Sequence, residues 1–283
     1  MSGRQLVQWT RAEALKLMSR RAARLGLIVS AMLGLVGPLL VLAANGMEMN
    51  VNESSLVDWL GLRLEPTEGQ LAALRLRNAL PLPLFVMWLS ASSFAGEYRN
   101  HTLREDLLRP VPRTAVLSAK WFALVLWVAL SVAACWLTSA VLGTCLFGLE
   151  GQWTTLSLGY LATIASEATL AALALCVAVF LRSVPATLVG LFLGWAISVV
   201  TGWALGIANA VLSSSMSENL GVDEPTIWLL QTAHRWLPSQ ALWAWGGCRE
   251  NIPWLWEHFA SMACTLAVCA LLSARRFGRT DVP

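Results

Sequence analysis

Lysine is nearly missing from this chain. Of 283 residues only Lys16 and Lys120 are lysine, and neither is followed by the serine or threonine that a phosphate-cradling loop places after its lysine. The chain therefore has no P-loop with which to hydrolyse ATP on its own. Histidine is almost as scarce: His101, His234 and His258 stand apart, and none opens the HExxH spacing that puts two zinc ligands on one helix face. The Gly-x-Ser-x-Gly turn of serine hydrolases does not occur. Charged residues make up only 13%, no series of alternating ten-residue strands marks a membrane barrel, and no internal repeat or low-complexity tract appears. These lacks exclude a P-loop ATPase, an HExxH metalloprotease and an outer-membrane pore.

What the chain has instead is hydrocarbon. At 57% hydrophobic residues and a mean hydropathy of +0.60, it is far more apolar than a soluble domain of its size needs to be. Runs of about 20 apolar residues cross a bilayer of roughly 30 Å as helices, because a helix satisfies its own backbone groups. The expected fold is an all-α polytopic membrane protein, a single transmembrane domain over 1–283 with six spans: Gly26–Ala44, Ala79–Ala95, Trp121–Gly148, Thr155–Leu181, Ala186–Leu212 and Pro253–Ala274. Around them lie a cytoplasmic amphipathic helix (1–24), spans 1 and 2 (26–95), a cytoplasmic loop (97–120), spans 3 to 5 (121–212), outer interfacial helices (213–252), span 6 (253–274) and a cytoplasmic tail (275–283).

Basic residues set the orientation. With the N-terminus inside, 15 of the 20 Lys and Arg residues face the cytoplasm, and the outer face keeps Arg63, Arg75, Arg77, Arg235 and Arg249. The net charge of +3 thus follows from topology, and no nucleic-acid partner is expected. The first span reads as an uncleaved anchor, since about 24 polar-to-amphipathic residues precede it and no small-residue cleavage site follows. Cys135, Cys145, Cys176, Cys264 and Cys269 fall inside spans without a CxxC pair and read as small buried hydrophobes, leaving Cys248 outside.

Three flanking regions carry local signals. In the N-terminal segment Leu6, Val7, Ala14, Leu17 and Met18 share one arc, opposite Arg4, Gln8, Arg11, Lys16 and Ser19. That spacing predicts a helix lying on the inner membrane surface, with Glu13 and Arg21 intruding on its apolar face; a solvated basic anchor is the alternative. Thr67-Glu-Gly-Gln70 has capping-box spacing and predicts a short outer helix. It runs into a second span that opens Leu80-Pro-Leu-Pro83, where missing backbone donors predict a kink or a late start. Between 213 and 252, Pro225 and Pro238 punctuate a tryptophan-rich stretch that predicts two short helices at the outer leaflet, and an aromatic belt accounts for most of these tryptophans.

The polar loop Glu97–Lys120, EYRNHTLREDLLRPVPRTAVLSAK, is unlike anything around it. Five basic residues and three acids surround a helical pattern, Leu103, Leu107 and Leu108, that stops at Pro110-Val-Pro112. Such a loop suits docking of a soluble partner. Its order of residues, Phe94-x-x-Glu97, Thr102-Leu103, Leu107-Leu108-Arg109-Pro110-Val111-Pro112-Arg113 and Lys120, closely resembles the cytoplasmic loop of type-2 permeases of ATP-binding cassette (ABC) exporters. That loop reads approximately as an acid, Gly-Thr-Leu, a Leu-Leu pair, Pro-Val-Ser-Arg and Gly-Lys. This chain departs with His101 in place of the glycine, Pro112 in place of a small polar residue and Ala119 before the lysine.

The motif covers about 27 residues, and the six-span layout and broken outer region are also similar. The resemblance implies a permease that pairs with a second copy or a paralogue and is clasped by two copies of a cytoplasmic P-loop ATPase. ATP and Mg would then sit on that partner, with no cofactor bound by this chain. It further implies that the N-terminal helix is the connector and that the loop contains the coupling helix. Arg104, Asp106, Arg109 and Arg113 are assigned the charged grip on the ATPase, Leu103 or Leu107 its groove contact, and Glu97 a bracing role.

Glu167 is the one acid well inside a span, next to Ser166 and near Thr169. At that depth an unpaired charge costs several kcal/mol, so the side chain is expected to face the bundle interior or a wet cavity. It reads as a cargo contact on the substrate pathway or a proton relay, or else as a structural group bonded to a neighbouring helix. Gly190, Gly194, Gly202 and Gly206 include two small-x-x-x-small pairs that would permit close helix contact, within one protomer or between two. Three functions remain in play: an inner-membrane exporter moving a lipid, peptide or drug-like molecule; an ABC-type subunit that drives or regulates an envelope machine, with an envelope accessory protein, and carries no cargo; and an integral-membrane enzyme.

Overall fold

The computed structural model describes residues 3–46, 66–79, 81–103, 112–148, 153–213, 224–237 and 255–279. Among them every regular element is a helix: α1 (Gly3–Ser19), α2 (Arg21–Gly46), α3 (Pro66–Ala79), α4 (Pro81–Ala91), α5 (Arg113–Phe147), α6 (Trp153–Leu181), α7 (Val184–Ser213), α8 (Glu224–Arg235) and α9 (Leu255–Gly278). A wide π-turn, Ser92–Gly96, continues α4 into a last helical turn, Glu97–Arg99. Six stretches are long and apolar enough to cross a membrane: Arg21–Ala43, Gly69–Arg99, Arg113–Phe147, Leu156–Leu181, Val184–Ala208 and Trp256–Gly278. The expected all-α polytopic fold is what forms.

The core is built by α2, α3 with α4, α5 and α6, which pack on one another; α9 lies on α6, and α7 sits at the margin under α8. Glycine lets α2 approach its neighbours. A Cβ at Gly34 would fall 2.0 Å from Thr138 Oγ1, and one at Gly37 would fall 2.3 Å from the Gly69 carbonyl oxygen. Membrane helices gain little from hydrophobic burial against one another, so such close backbone approach supplies the packing. Thr138 also donates to the Ala31 carbonyl across this seam at 2.9 Å. The glycines expected to do this work lie elsewhere: a Cβ at Gly194 would meet nothing within 4 Å, and at Gly206 only His234. Helix α7 instead turns Phe192, Ile197, Val200 and Trp203 outward.

Several expectations need correcting. The helix beginning near Thr67 is no outer appendage, because Leu71, Ala72, Ala73 and Leu74 are buried and α3 forms the first half of the second crossing. Arg77 consequently leaves the outer loop and enters the bundle, fully buried. Leu80, at the proline pair where a kink or late start was expected, lies outside the described residues. The polar loop is shorter than drawn, since Arg113 to Lys120 already form the first turns of α5, entered from Pro112 in extended conformation (φ −61°, ψ 135°). Cys145 and Cys264 are exposed on their spans, whereas Cys135, Cys176 and Cys269 are buried. In the tryptophan-rich region, α8 is a short helix where one of the two was expected, with Trp228 and Leu229 exposed; residues 238–254, where the second was expected, lie outside the described residues.

Candidate functional site: the root of the polar loop

The polar loop leaves the bundle at Leu103 and returns at Pro112. Its tip, which carries Arg104, Asp106, Leu107 and Arg109, lies outside the described residues. Its two roots are tied together by charge. Glu97, in the turn that follows the π-turn, is 4% exposed, and Lys120, two turns into α5, is 1% exposed. Lys120 Nζ donates to Glu97 Oε2 at 2.5 Å and to Glu13 Oε2 of α1 at 2.9 Å. The other Glu97 oxygen, Oε1, accepts from Lys16 at 2.8 Å and from Arg20 at 3.1 Å. Arg20 also donates to Ser92 Oγ at 2.8 Å.

A buried lysine without these carboxylates would be expensive, because desolvation of an ammonium costs several kcal/mol and only well-made bonds recover it. Three cations here share two anions, so Glu97 is the hub to which α1, the loop's entrance and α5 are all attached. Glu13, the residue that spoiled the apolar face of α1, is the group that α1 contributes. On the same face Ala14 and Leu17 are buried within the protein, against α5, while Val7 is exposed.

Other ends converge on the same place. Arg113 donates to the Phe277 carbonyl at the end of α9 at 3.0 Å and lies 5.9 Å from that ring, which packs edge-on against Phe94 at 5.3 Å. Arg182, in the turn between α6 and α7, donates to the Tyr98 hydroxyl at 2.9 Å and lies over its ring at 5.0 Å. Leu103 is fully buried in the chain's own core, so it anchors the loop and is not free for a partner's groove. His101, where the resembled loop carries glycine, adopts φ 58°. That is the left-handed conformation glycine supplies without strain after a helix end, and here a histidine bears it.

A second buried ion pair lies deeper. Arg77 of α3 and Glu167 of α6 meet in bidentate fashion, Nη1 to Oε1 at 2.7 Å and Nη2 to Oε2 at 2.9 Å. The remaining guanidinium hydrogens go to Ser30 (3.2 Å), Asn78 (2.9 Å) and Ser131 (2.7 Å). Arginine's five donors therefore all find acceptors. Asn78 in turn donates to Thr163 at 3.2 Å, and Ser30 to the Ser131 carbonyl at 2.6 Å. Glu167 does face the bundle interior, but both its oxygens are occupied by Arg77, which sequence reasoning had assigned to the outer surface. The signal that could have placed it was the cost of Glu167 itself: a buried acid calls for a cation within reach.

Among the described residues no cluster of three His, Cys, Asp or Glu side chains is placed to hold a metal ion. The arrangement binds helices to one another and to a loop, and its chemistry is that of charge pairing. No curated protein matches the chain. The family model described as "ABC-2 family transporter protein" matches residues 10–203, a stretch that takes in the second half of α1, the loop and its charged root, and the Arg77–Glu167 pair. The chain belongs to the ABC-2 family of transporter membrane proteins, as a membrane-spanning permease component.

Proposed function

We propose that this chain is the permease subunit of an ABC exporter in a bacterial inner membrane, with both termini and the polar loop in the cytoplasm. It couples ATP hydrolysis by a separate ATPase subunit to outward movement of a lipid, peptide or drug-like molecule. Two permease chains, identical or paralogous, each engage one ATPase copy, which holds the ATP and Mg. The observation that carries this reading is the root of the loop: its two described ends are tied by buried charge to α1 and α5 and by Arg113 to the end of α9, an arrangement suited to passing on a push.

The grip itself falls to Arg104, Asp106, Leu107 and Arg109 at the loop tip. Closure of the ATPases on ATP displaces the tip, and the displacement reaches the bundle by three routes. Glu97 and Lys120 carry it to α1 and α5, Arg113 to the end of α9, and Tyr98 with Arg182 to the junction of α6 and α7. Packed helices respond to such a push by shifting as rigid bodies between discrete arrangements. Glu97 and Arg113 thus serve as transmission and not as contact. Glu167, held by Arg77, is a strut within the moving unit.

The test is a mild-detergent pull-down of the tagged chain from its native membranes, beside an Arg104→Glu/Arg109→Glu variant of unchanged melting temperature. Co-purification of a P-loop ATPase with the parent and its loss from the variant are expected. Recovery of no ATPase with the parent would overturn the reading.

A further inference from the structure

A cavity of about 200 Å³ lies between α4, α6, α7 and α9, and Glu167 is not among the residues that line it. Its walls include Met87, Leu170, Leu191 and Met262, each buried, and no charged side chain lines it. Four hydroxyl-bearing residues line the space, Ser166, Thr169, Ser198 and Thr265. Ser166, Thr169 and Thr265 each donate to a carbonyl one turn back in their own helix, those of Thr163, Ala165 and Ser261, and Ser198 is engaged as well. An anionic headgroup would find no cation there, and water would find few partners. Apolar cavities of about 150 Å³ stay dry and take up a molecule the size of benzene, so this space suits a stretch of hydrocarbon.

The cavity also has a side opening. Gly190 and Gly194, one turn apart on α7, both line it. A Cβ at Gly190 would rest on Leu181 and Val177 at ordinary contact distance, while one at Gly194 would stand in open space. Around that gap Phe192, Leu193 and Ile197 are exposed on a helix long and apolar enough to span the bilayer. In a bilayer, hydrocarbon chains are the ligand that such an exposed apolar face meets at the highest concentration. The small-residue spacing that suggested a helix contact marks a notch that, among the described residues, no helix fills.

We propose that this cavity is a binding site for one acyl chain of a membrane lipid, taken in laterally through the Gly190–Gly194 notch from the leaflet nearer the polar loop. The notch lies in the first turns of α7 after the Arg182 turn, which fixes the leaflet. The proposal deepens the permease reading, on which only the step from bound lipid to cargo rests. An amphipathic lipid is the cargo class that results: its chain enters the apolar cavity and its charged head remains outside it.

The test uses the full chain reconstituted in phosphatidylethanolamine/phosphatidylglycerol vesicles doped with a phosphatidylcholine that carries a mid-chain diazirine. After irradiation, adducts are mapped by mass spectrometry. Exposed Phe192 and Ile197 label in any case and serve as the reference. Adducts on buried Met262 and Leu170 are expected in the parent, lost in Gly194→Phe, which fills the notch, and kept in Leu193→Phe, which adds bulk to the lipid-facing side. Labelling confined to the exposed residues, or adducts on Met262 that persist in Gly194→Phe with its melting temperature unchanged, would overturn the proposal. Occupancy is read without an ATPase, so this result and the pull-down fail independently.

Discussion

The two buried charge clusters use the same chemistry to opposite effect. Arg77 and Glu167 form a closed set in which donors and acceptors match one for one, all from helices of the core bundle. Glu97, by contrast, is shared among Lys16, Arg20 and Lys120, and the side chains of Lys16 and Arg20 remain 40% and 25% exposed. A matched pair in low dielectric has one arrangement and resists change. A carboxylate with three cations in reach can trade one partner for another at modest cost. The first cluster fixes α2, α3, α5 and α6 to each other; the second leaves α1 and the loop room to shift. For a machine driven from the loop end, the rigid element belongs deep in the bundle and the yielding one beside the input.

The largest effect should come from breaking the matched pair. Glu167→Ala strands a guanidinium that is fully buried, and removing one partner of a buried pair typically costs about 3–5 kcal/mol. Thermal unfolding in mild detergent should show a large drop in midpoint, or no folded protein at all. Arg77→Met/Glu167→Leu, which removes both charges together, should recover most of the loss, because apolar replacements of similar volume are often neutral. If the double variant is no better than Glu167→Ala, the pair's worth is not in mutual neutralisation and its description as a strut fails.

The shared cluster should respond less, and unevenly. Lys120→Met removes the fully buried cation from Glu97 and Glu13, but Glu97 keeps Lys16 and Arg20, so the expected loss is about 1–3 kcal/mol, the usual penalty for an unsatisfied buried group. Lys16→Ala removes a cation that is partly in water, and should cost below about 1 kcal/mol. Melting midpoints should therefore fall in the order parent, Lys16→Ala, Lys120→Met, Glu167→Ala. A Lys16→Ala loss equal to that of Lys120→Met would show that exposure does not separate the two contacts, and the contrast between clusters would blur.

Much of this architecture is legible in the chain because hydrophobic length is a one-dimensional property: six apolar runs survive any error in how they pack. The loop was legible for the same reason, as polarity where the surroundings have none. Partners were not. Arg77 sits two residues before the apolar run from which the second span is read in the sequence, and by position alone it reads as an outer-face charge; only the three-dimensional approach of α3 to α6 draws it in. Glu13 was visible as an anomaly on an apolar face without any hint that Lys120, more than a hundred residues on, would answer it. Glycine spacing records that a helix can be approached closely, not by which neighbour: within the chain the tight seam forms at Gly34 and Gly37, while a Cβ at Gly194 would meet nothing within 4 Å.

The smallest expected effect bears on the loop root directly. His101 holds a left-handed backbone (φ 58°) just after the helical turn ending at Arg99, with its N–H directed to the Tyr98 carbonyl at 3.3 Å. For a residue with a Cβ that conformation costs about 1–2 kcal/mol, somewhat less for histidine, which tolerates it better than bulkier residues. Glycine removes the strain but enlarges the freedom of the unfolded chain, which returns part of the gain. His101→Gly should therefore raise stability by only about 0.5–1 kcal/mol, seen as a small upward shift in melting midpoint, and His101→Val, β-branched and ill suited to positive φ, should lower it. Were His101→Val to melt with the parent, the turn would be free to relax, and the loop would hang from a looser root than the charge cluster beside it requires.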